Sequence, residues 1–416
     1  MARGCASTPP AYNRVRLSPH RGDRKAGFAA FHGALQAFKS TLAASVHATL
    51  KEHVFEARAR RYGSCLEAAL HGNEVDPAVY AMLIREVNAA LPLIHRYLRL
   101  RARVLRIPDL AYHDLYAPLA PEPAGRYAWD QARELVTSAL APLGPDYVEQ
   151  LTRALQSRWV DVDPRTGKRS GAFVNDGAYD AHPYMLLNHQ DDYHSASTLA
   201  HEAGHLMHST YSQRHQPYPT ARYVIFVAEV ASTFNEILLH RYLLDRAEDD
   251  ERRLALLGHY LDNIRGTVFR QTMFAEFELE IHARAERGEA LTGEELGAIY
   301  FELLQRYHGT ADGVLAIDPL YAAEWGFVPH FHYNFYVYQY ATSYVAATAL
   351  ARRILSGSTS ATIRYLDFLS RGSARPPVEL LRDAGVDMTS SEPIQATMTE
   401  MSEVMDAMDA ILARRG

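Results

Sequence analysis

Residues 198–210 read TLAHEAGHLMHST, which places His201, Glu202, His205 and His208 within eight positions. His201 and His205 are four apart, so on an α-helix their imidazoles stand one turn apart on one face. Two imidazoles so placed can both reach one Zn2+ at about 2.0–2.1 Å. Glu202 projects beside them, where it can contact a metal-bound water rather than the metal. With 20 histidines and 49 acidic residues in 416 positions, about 0.1 accidental H-E-x-x-H match is expected. The bland alternative is a surface helix that happens to carry two histidines.

His208 falls on the same stripe but lies seven residues beyond His201, about 10 Å along the helix axis. All three histidines cannot converge on one ion with bonds near 2 Å. His208 is therefore expected behind the ligands or against substrate. The third ligand is sought downstream, in VIFVAEVASTFNE at 224–236, a helical pattern interrupted by Glu229 and Glu236. These two are seven apart and share a face over two turns. A buried carboxylate is costly unless it is paired or metal-bound. Glu229 is assigned as third ligand, and Glu236 as the acceptor that orients a ligand histidine.

The rest of the chain bounds the setting. It is 48% hydrophobic and 22% charged, with a formal net charge of −6, a globular profile without the charge expected for nucleic-acid or anionic-membrane binding. No stretch approaches the roughly 20 apolar residues a membrane span requires. Cys5 and Cys65 cannot build a disulfide framework, so a reducing, cytoplasmic compartment is expected. Residues 1–24 mix Pro, Arg, Gly and Ser without periodicity and read as a disordered tail. From Phe28 the apolar residues Phe31, Leu35, Phe38, Leu42 and Val46 recur at helical intervals. Asp76 and Pro77 mark a helix start, and Pro92 a restart. Between 158 and 190, β-favouring runs are broken by glycines and Pro164, which predicts a small antiparallel sheet. Helices follow to the end. The predicted class is mostly α with one small sheet beside the histidine helix. The segment AHPYMLLNH at 181–189 is either an open strand edge for a peptide or a buried strand.

These stretches together resemble the oligoendopeptidase F branch of the thimet-oligopeptidase-like zinc metallopeptidases. The resemblance rests on TLAHEAGHLMHS with VIFVAEVASTFNE, on GKRSGAF and YDAHPYMLLNHQ before them, on EWGFVPHFHYNFYVYQYATSYVAA at 324–347, and on LRDAGVDMTSSEPI at 381–394. It covers nearly all of residues 25 to 410. It implies one Zn2+ per chain, held by His201, His205 and Glu229, with Glu202 as general base on a zinc-bound water. It also implies a large helical body split by a deep channel that admits unstructured oligopeptides. Within it, 25–416 would be the catalytic domain, with a partial helical lobe at 25–120 and the zinc-site lobe at 121–416. Family members usually carry a further helical segment before the point where this chain begins, so part of one channel wall is expected to be missing.

The family's zinc-facing histidine best matches His330, with His332 the weaker candidate. A tetrahedral oxyanion needs a donor besides zinc. On a helix Tyr333, Tyr336 and Tyr340 would share a face while Tyr338 points elsewhere, and Tyr340 is the first choice as donor. The plain alternative is that these tyrosines are packing residues. The expected function is zinc-dependent cleavage of internal peptide bonds. The alternatives are a zinc- or peptide-binding chain without useful turnover and a zinc carboxypeptidase.

Overall fold

The computed structural model describes residues 9–120 and 126–415. Among these it contains seventeen α-helices and a single three-stranded sheet. One apolar core runs from Tyr12 to Ile411. The long helix Arg21–Ala59 packs on the helices Arg270–Glu286 and Gly293–Tyr307. The helix Leu91–Leu105 packs on the final helix Glu392–Arg415. Helices from before and after residue 120 therefore share one core. The expected division at 120/121 adjoins residues 121–125, which lie outside the described residues.

The expected tail is corrected from Pro9 onward, while residues 1–8 lie outside the described residues. Pro9–Val15 is helical, and Tyr12 is 2% exposed and stacked on Phe31 with ring centroids 4.0 Å apart. Gly27 permits this docking, because a Cβ there would lie 2.3 Å from Val15 Cγ1. Arg24 is buried, donating to Asp114 Oδ1 at 2.7 Å and to the Ser18 carbonyl at 2.8 Å. Hydropathy periodicity cannot register an arginine that is buried because a distant carboxylate pairs with it.

Most helix signals hold. Asp76 caps Pro77–Ala89 by accepting the Ala78 N–H, and Pro92 sits in the first turn of Leu91–Leu105. Phe28, Phe31 and Val46 are buried, but Phe38 is 65% exposed. It lies at the edge of the stripe, about 80° around the helix from Phe28. A second buried ionic node joins later segments. Glu324 accepts from Arg270 at 2.8 Å and from the Tyr112 and Tyr300 hydroxyls at 2.7 Å each. Burial raises its pKa, but Arg270 and these donors outweigh burial and hold it at about 2.

The sheet is mixed rather than antiparallel throughout. Strands β1 (Val160–Asp161), β2 (Phe173–Asn175) and β3 (Tyr184–Leu186) lie in the order β1-β3-β2. β2 pairs antiparallel with β3, while β1 pairs parallel with it, Val160 opposite Met185. The chain reverses twice, over 162–172 and 176–183, so β3 returns beside β1 running the same way. β3 is thus the central strand, and the open edges belong to β1 and β2. Among the described residues no single helix is long and apolar enough to cross a membrane.

Candidate active site

β3 leads through Leu187–Asp192 into the histidine helix, Tyr193–His215, whose first turn is capped by Asp192 accepting the Ser195 N–H at 2.7 Å. This helix crosses the glutamate helix, Ile225–Asp245. The crossing is backbone against backbone at one point. A Cβ on Gly204 would stand 2.4 Å from the Ala231 carbonyl oxygen and 2.5 Å from Ser232 Cα. Beside it Asn235 Nδ2 donates to the Ala200 carbonyl at 3.2 Å, tying the helices one turn further along.

That close approach brings three donor atoms together. His201 Nε2 lies 3.2 Å from His205 Nε2, and Glu229 Oε2 lies 3.4 Å from the first and 3.5 Å from the second. Tetrahedral ligands about 2.0–2.1 Å from one Zn2+ are spaced by about 3.3 Å. The triangle therefore has the size such an ion demands. Among the described residues it is the group of His, Cys, Asp or Glu side chains that could hold a metal. His201 Nδ1 donates to Glu236 Oε1 at 2.8 Å, so that in the neutral imidazole the Nε2 lone pair is the one left for a metal. Ser232 Oγ donates to Glu229 Oε2 at 2.9 Å.

The electrostatics follow from crowding. Burial works against the charged form of His201, but Glu236 and Glu229 outweigh it and raise its pKa well above the usual value. Burial also opposes ionisation of Glu229, yet the two histidines hold it far below the ordinary carboxylate range. Glu202 is the exception. It is 5% exposed, its Oε2 has no hydrogen-bond partner, and burial raises its pKa despite the neighbouring histidines.

His208 does not join this group. Its ring is 1% exposed and lies flat on Tyr223, centroids 3.6 Å apart, with Phe368 on another side. Burial pushes its pKa down to about 3. It is a packed imidazole closed off from solvent.

His330, Tyr333, Tyr336 and Tyr340 do come together, though not by helical periodicity. Pro329–His332 is a 3-10 turn, and the tyrosine helix proper begins only at Tyr338 and ends at Leu355. Between them Asn334 and Phe335 have φ of 51° and 57°. The chain thus reverses and gathers the rings. His330 lies 5.5 Å from Tyr336, 5.6 Å from Tyr333 and 5.8 Å from Tyr340, and its Nε2 is 3.4 Å from the Tyr340 hydroxyl. Tyr336 and Tyr340 both feel the Glu229 carboxylate, after burial as the larger influence, and both are raised in pKa. Tyr333 is 56% exposed, and Tyr338 is buried against Tyr80. His332 is turned to the long helix, its Nδ1 2.8 Å from Thr49 Oγ1.

Gly204, Ser232 and Asn235 were not singled out by sequence reasoning. The signal for the first was present, a glycine beside the second motif histidine, but its purpose needs the partner helix.

Comparison with known proteins agrees with this architecture. The model of peptidase family M3 matches residues 15–400. Oligopeptidase PepF of Bacillus subtilis is 46% identical over 397 residues, covering 95% of this chain and 59% of that one. An oligoendopeptidase F homolog of Lactococcus lactis is 39% identical over 403 residues, 97% of this chain and 66% of that one. The crystal structure of oligoendopeptidase-F from Enterococcus faecium overlays with a TM-score of 0.78 at 34% identity, covering 98% of this chain and 66% of that one. The chain thus spans about three fifths to two thirds of the length of these relatives. It belongs to peptidase family M3.

Proposed function

We propose that the chain is a zinc-dependent endopeptidase that hydrolyses internal bonds of short, unstructured oligopeptides. The observation that carries this reading is the donor triangle of His201, His205 and Glu229 beside an unpartnered Glu202 carboxylate. One Zn2+ per chain fits the three donors by number, type and spacing. When bound, such an ion supplies acidification of water toward neutral pH and polarisation of a carbonyl oxygen.

The chain's own residues do the rest. Glu202 Oε2 accepts the proton of the attacking water and returns it to the leaving nitrogen. Its burial raises its basicity without giving it a competing partner. Glu236 keeps His201 in one tautomer through its Nδ1–H. Tyr340 stays protonated, because burial and the neighbouring Tyr336 oppose its ionisation. Its hydroxyl can therefore donate to the developing oxyanion, with Tyr336 beside it and His330 behind. Tyr333, at the exposed rim, is suited to contacting peptide. A reducing, cytoplasmic site of action fits the buried free thiol of Cys65.

Metal analysis and cleavage of internally quenched peptides test this directly. Wild type is expected to carry one zinc and to cleave internally, with chelator abolishing turnover. Glu202→Gln is expected to retain zinc and lose activity. Zinc binding without turnover across a peptide library refutes the enzyme. Stepwise release of C-terminal residues, read by product mass spectrometry, would establish a carboxypeptidase instead.

A further inference from the structure

Beside the turn that precedes the tyrosine helix lies a buried acid with no place in the chemistry above. Glu278, on the helix Arg270–Glu286, is 0% exposed. Its Oε1 accepts the Phe335 backbone N–H at 2.6 Å, while Oε2 has no partner. Burial raises the pKa of this carboxyl to about 8, with the Phe335 N–H pulling the other way. The carboxyl is thus kept in the core mainly as a hydrogen-bond acceptor, since among the described residues no cation pairs with it.

The acceptor meets the chain at a pair of left-handed residues. Asn334 and Phe335 are consecutive non-glycine residues in the left-handed region, and a bulky aromatic residue rarely adopts it. Strain of this kind persists only where the surroundings over-determine it. Here they do. The Phe335 ring is 2% exposed and lies 4.3 Å from the His282 ring and 5.6 Å from Tyr80. His282 is fixed in turn, donating from Nδ1 to the Glu278 carbonyl at 2.8 Å, with its Nε2 3.0 Å from His53 Nδ1. Thr49, one turn before His53 on the long helix, holds His332. Packing fixes the ring, but the Phe335 N–H points away from any helical ladder and would be an orphan donor without Glu278.

We infer that Glu278 is a positioning residue for the active centre: by accepting the Phe335 N–H it holds the left-handed Asn334–Phe335 pair, and so sets the positions of Tyr336, Tyr340 and His330. The role requires an acceptor and not a charge. Glutamine can fill it, and methionine of similar length cannot.

The test compares full-length wild type, Glu278→Gln and Glu278→Met. The readouts are zinc content, hydrogen exchange at the Phe335 amide, and kcat and KM on a quenched peptide. In Glu278→Met, zinc content should stay at wild type while Phe335 exchange accelerates at least about tenfold. Its kcat should fall about 10- to 100-fold, as expected for a misplaced catalytic group, with KM changed by less than about threefold. Glu278→Gln should restore both kcat and Phe335 protection. The inference is overturned if Glu278→Met keeps wild-type kcat and Phe335 protection, or if Glu278→Gln is as impaired as Glu278→Met. Should Glu278→Met fail to fold, the wild-type protein still decides, because a Phe335 amide exchanging at the free-peptide rate refutes the bond. The kinetic arm rests on the peptidase reading, whereas the exchange arm does not. If wild type cleaves nothing, that reading fails while Phe335 protection still judges Glu278.

Discussion

Replacing Gly204 by alanine adds one methyl group where the histidine and glutamate helices touch. An ideal Cβ there lies 2.5 Å from Ser232 Cα and 2.4 Å from the Ala231 carbonyl oxygen. Carbon atoms in comfortable contact sit about 3.5–4.0 Å apart, so the helices must separate locally by about 1 Å. Neither obstacle is the end of a flexible side chain, so the strain cannot be relieved by a rotamer change. Overpacking of this kind costs about 1–3 kcal/mol, offset by up to about 1 kcal/mol because alanine is the better helix former. Stability should fall only modestly. The metal site should suffer far more, because a ligand set tolerates only about ±0.2 Å in its bond lengths, and Glu229 rides on the helix that is pushed away. Zinc affinity is expected to drop on the order of 100-fold, measured by competition with a chromophoric chelator. Gly33→Ala is the control. Its Cβ meets nothing within 4 Å, so it should stabilise by about 0.5–1 kcal/mol and leave zinc affinity alone. Wild-type affinity in Gly204→Ala would show that close helix approach does not set the triangle.

Glu236→Gln keeps the size of the side chain but weakens the acceptor for His201 Nδ1–H. Zinc affinity should fall about 10- to 100-fold, by the same titration, and an unchanged value would remove Glu236 from the site. Glu324 has its pKa depressed to about 2, so it contributes stability above about pH 4.5 that is lost as pH falls through 2. Wild type should lose about 3 kcal/mol between pH 5 and pH 2 from this group. Glu324→Gln should be destabilised at pH 7, because Arg270 is left buried and unpaired, and its deficit should shrink with acid. Denaturant unfolding of both proteins across that range reads the difference, and parallel curves would refute it. Zinc at about 1,000 times its dissociation constant should stabilise wild type by about 4 kcal/mol. His205→Ala should abolish that increment, and its persistence would place the metal elsewhere.

The candidate metal ligands were legible because their information is local. His201 and His205 need only the helix repeat, and Glu229 and Glu236 betray themselves as carboxylates seven apart in an apolar run. His208 obeys the same periodicity and yet stacks on Tyr223, since a stripe on a helix says nothing about which neighbour covers each part of it. The tyrosines were grouped correctly for the wrong reason. Their rings meet across a left-handed turn at Asn334 and Phe335, a conformation unfavourable for phenylalanine alone and sustained by Glu278 and Tyr80 from two other helices.

The same distinction runs through the molecule. Sequence by itself determined the helical class, the place of the sheet, the four side chains of the candidate metal site and the family, because each rests on repeats or motifs within a few turns of chain. Tertiary structure decided what depends on pairs distant in sequence. It buried Arg24 against Asp114 and so made helix and core out of an apparent tail. It ran β1 parallel to β3, and it let Gly204 bring two backbones into contact so that three donors lie 3.2–3.5 Å apart. Donor spacing at that scale is set by how two helices cross, and no linear pattern encodes a crossing distance to within an ångström.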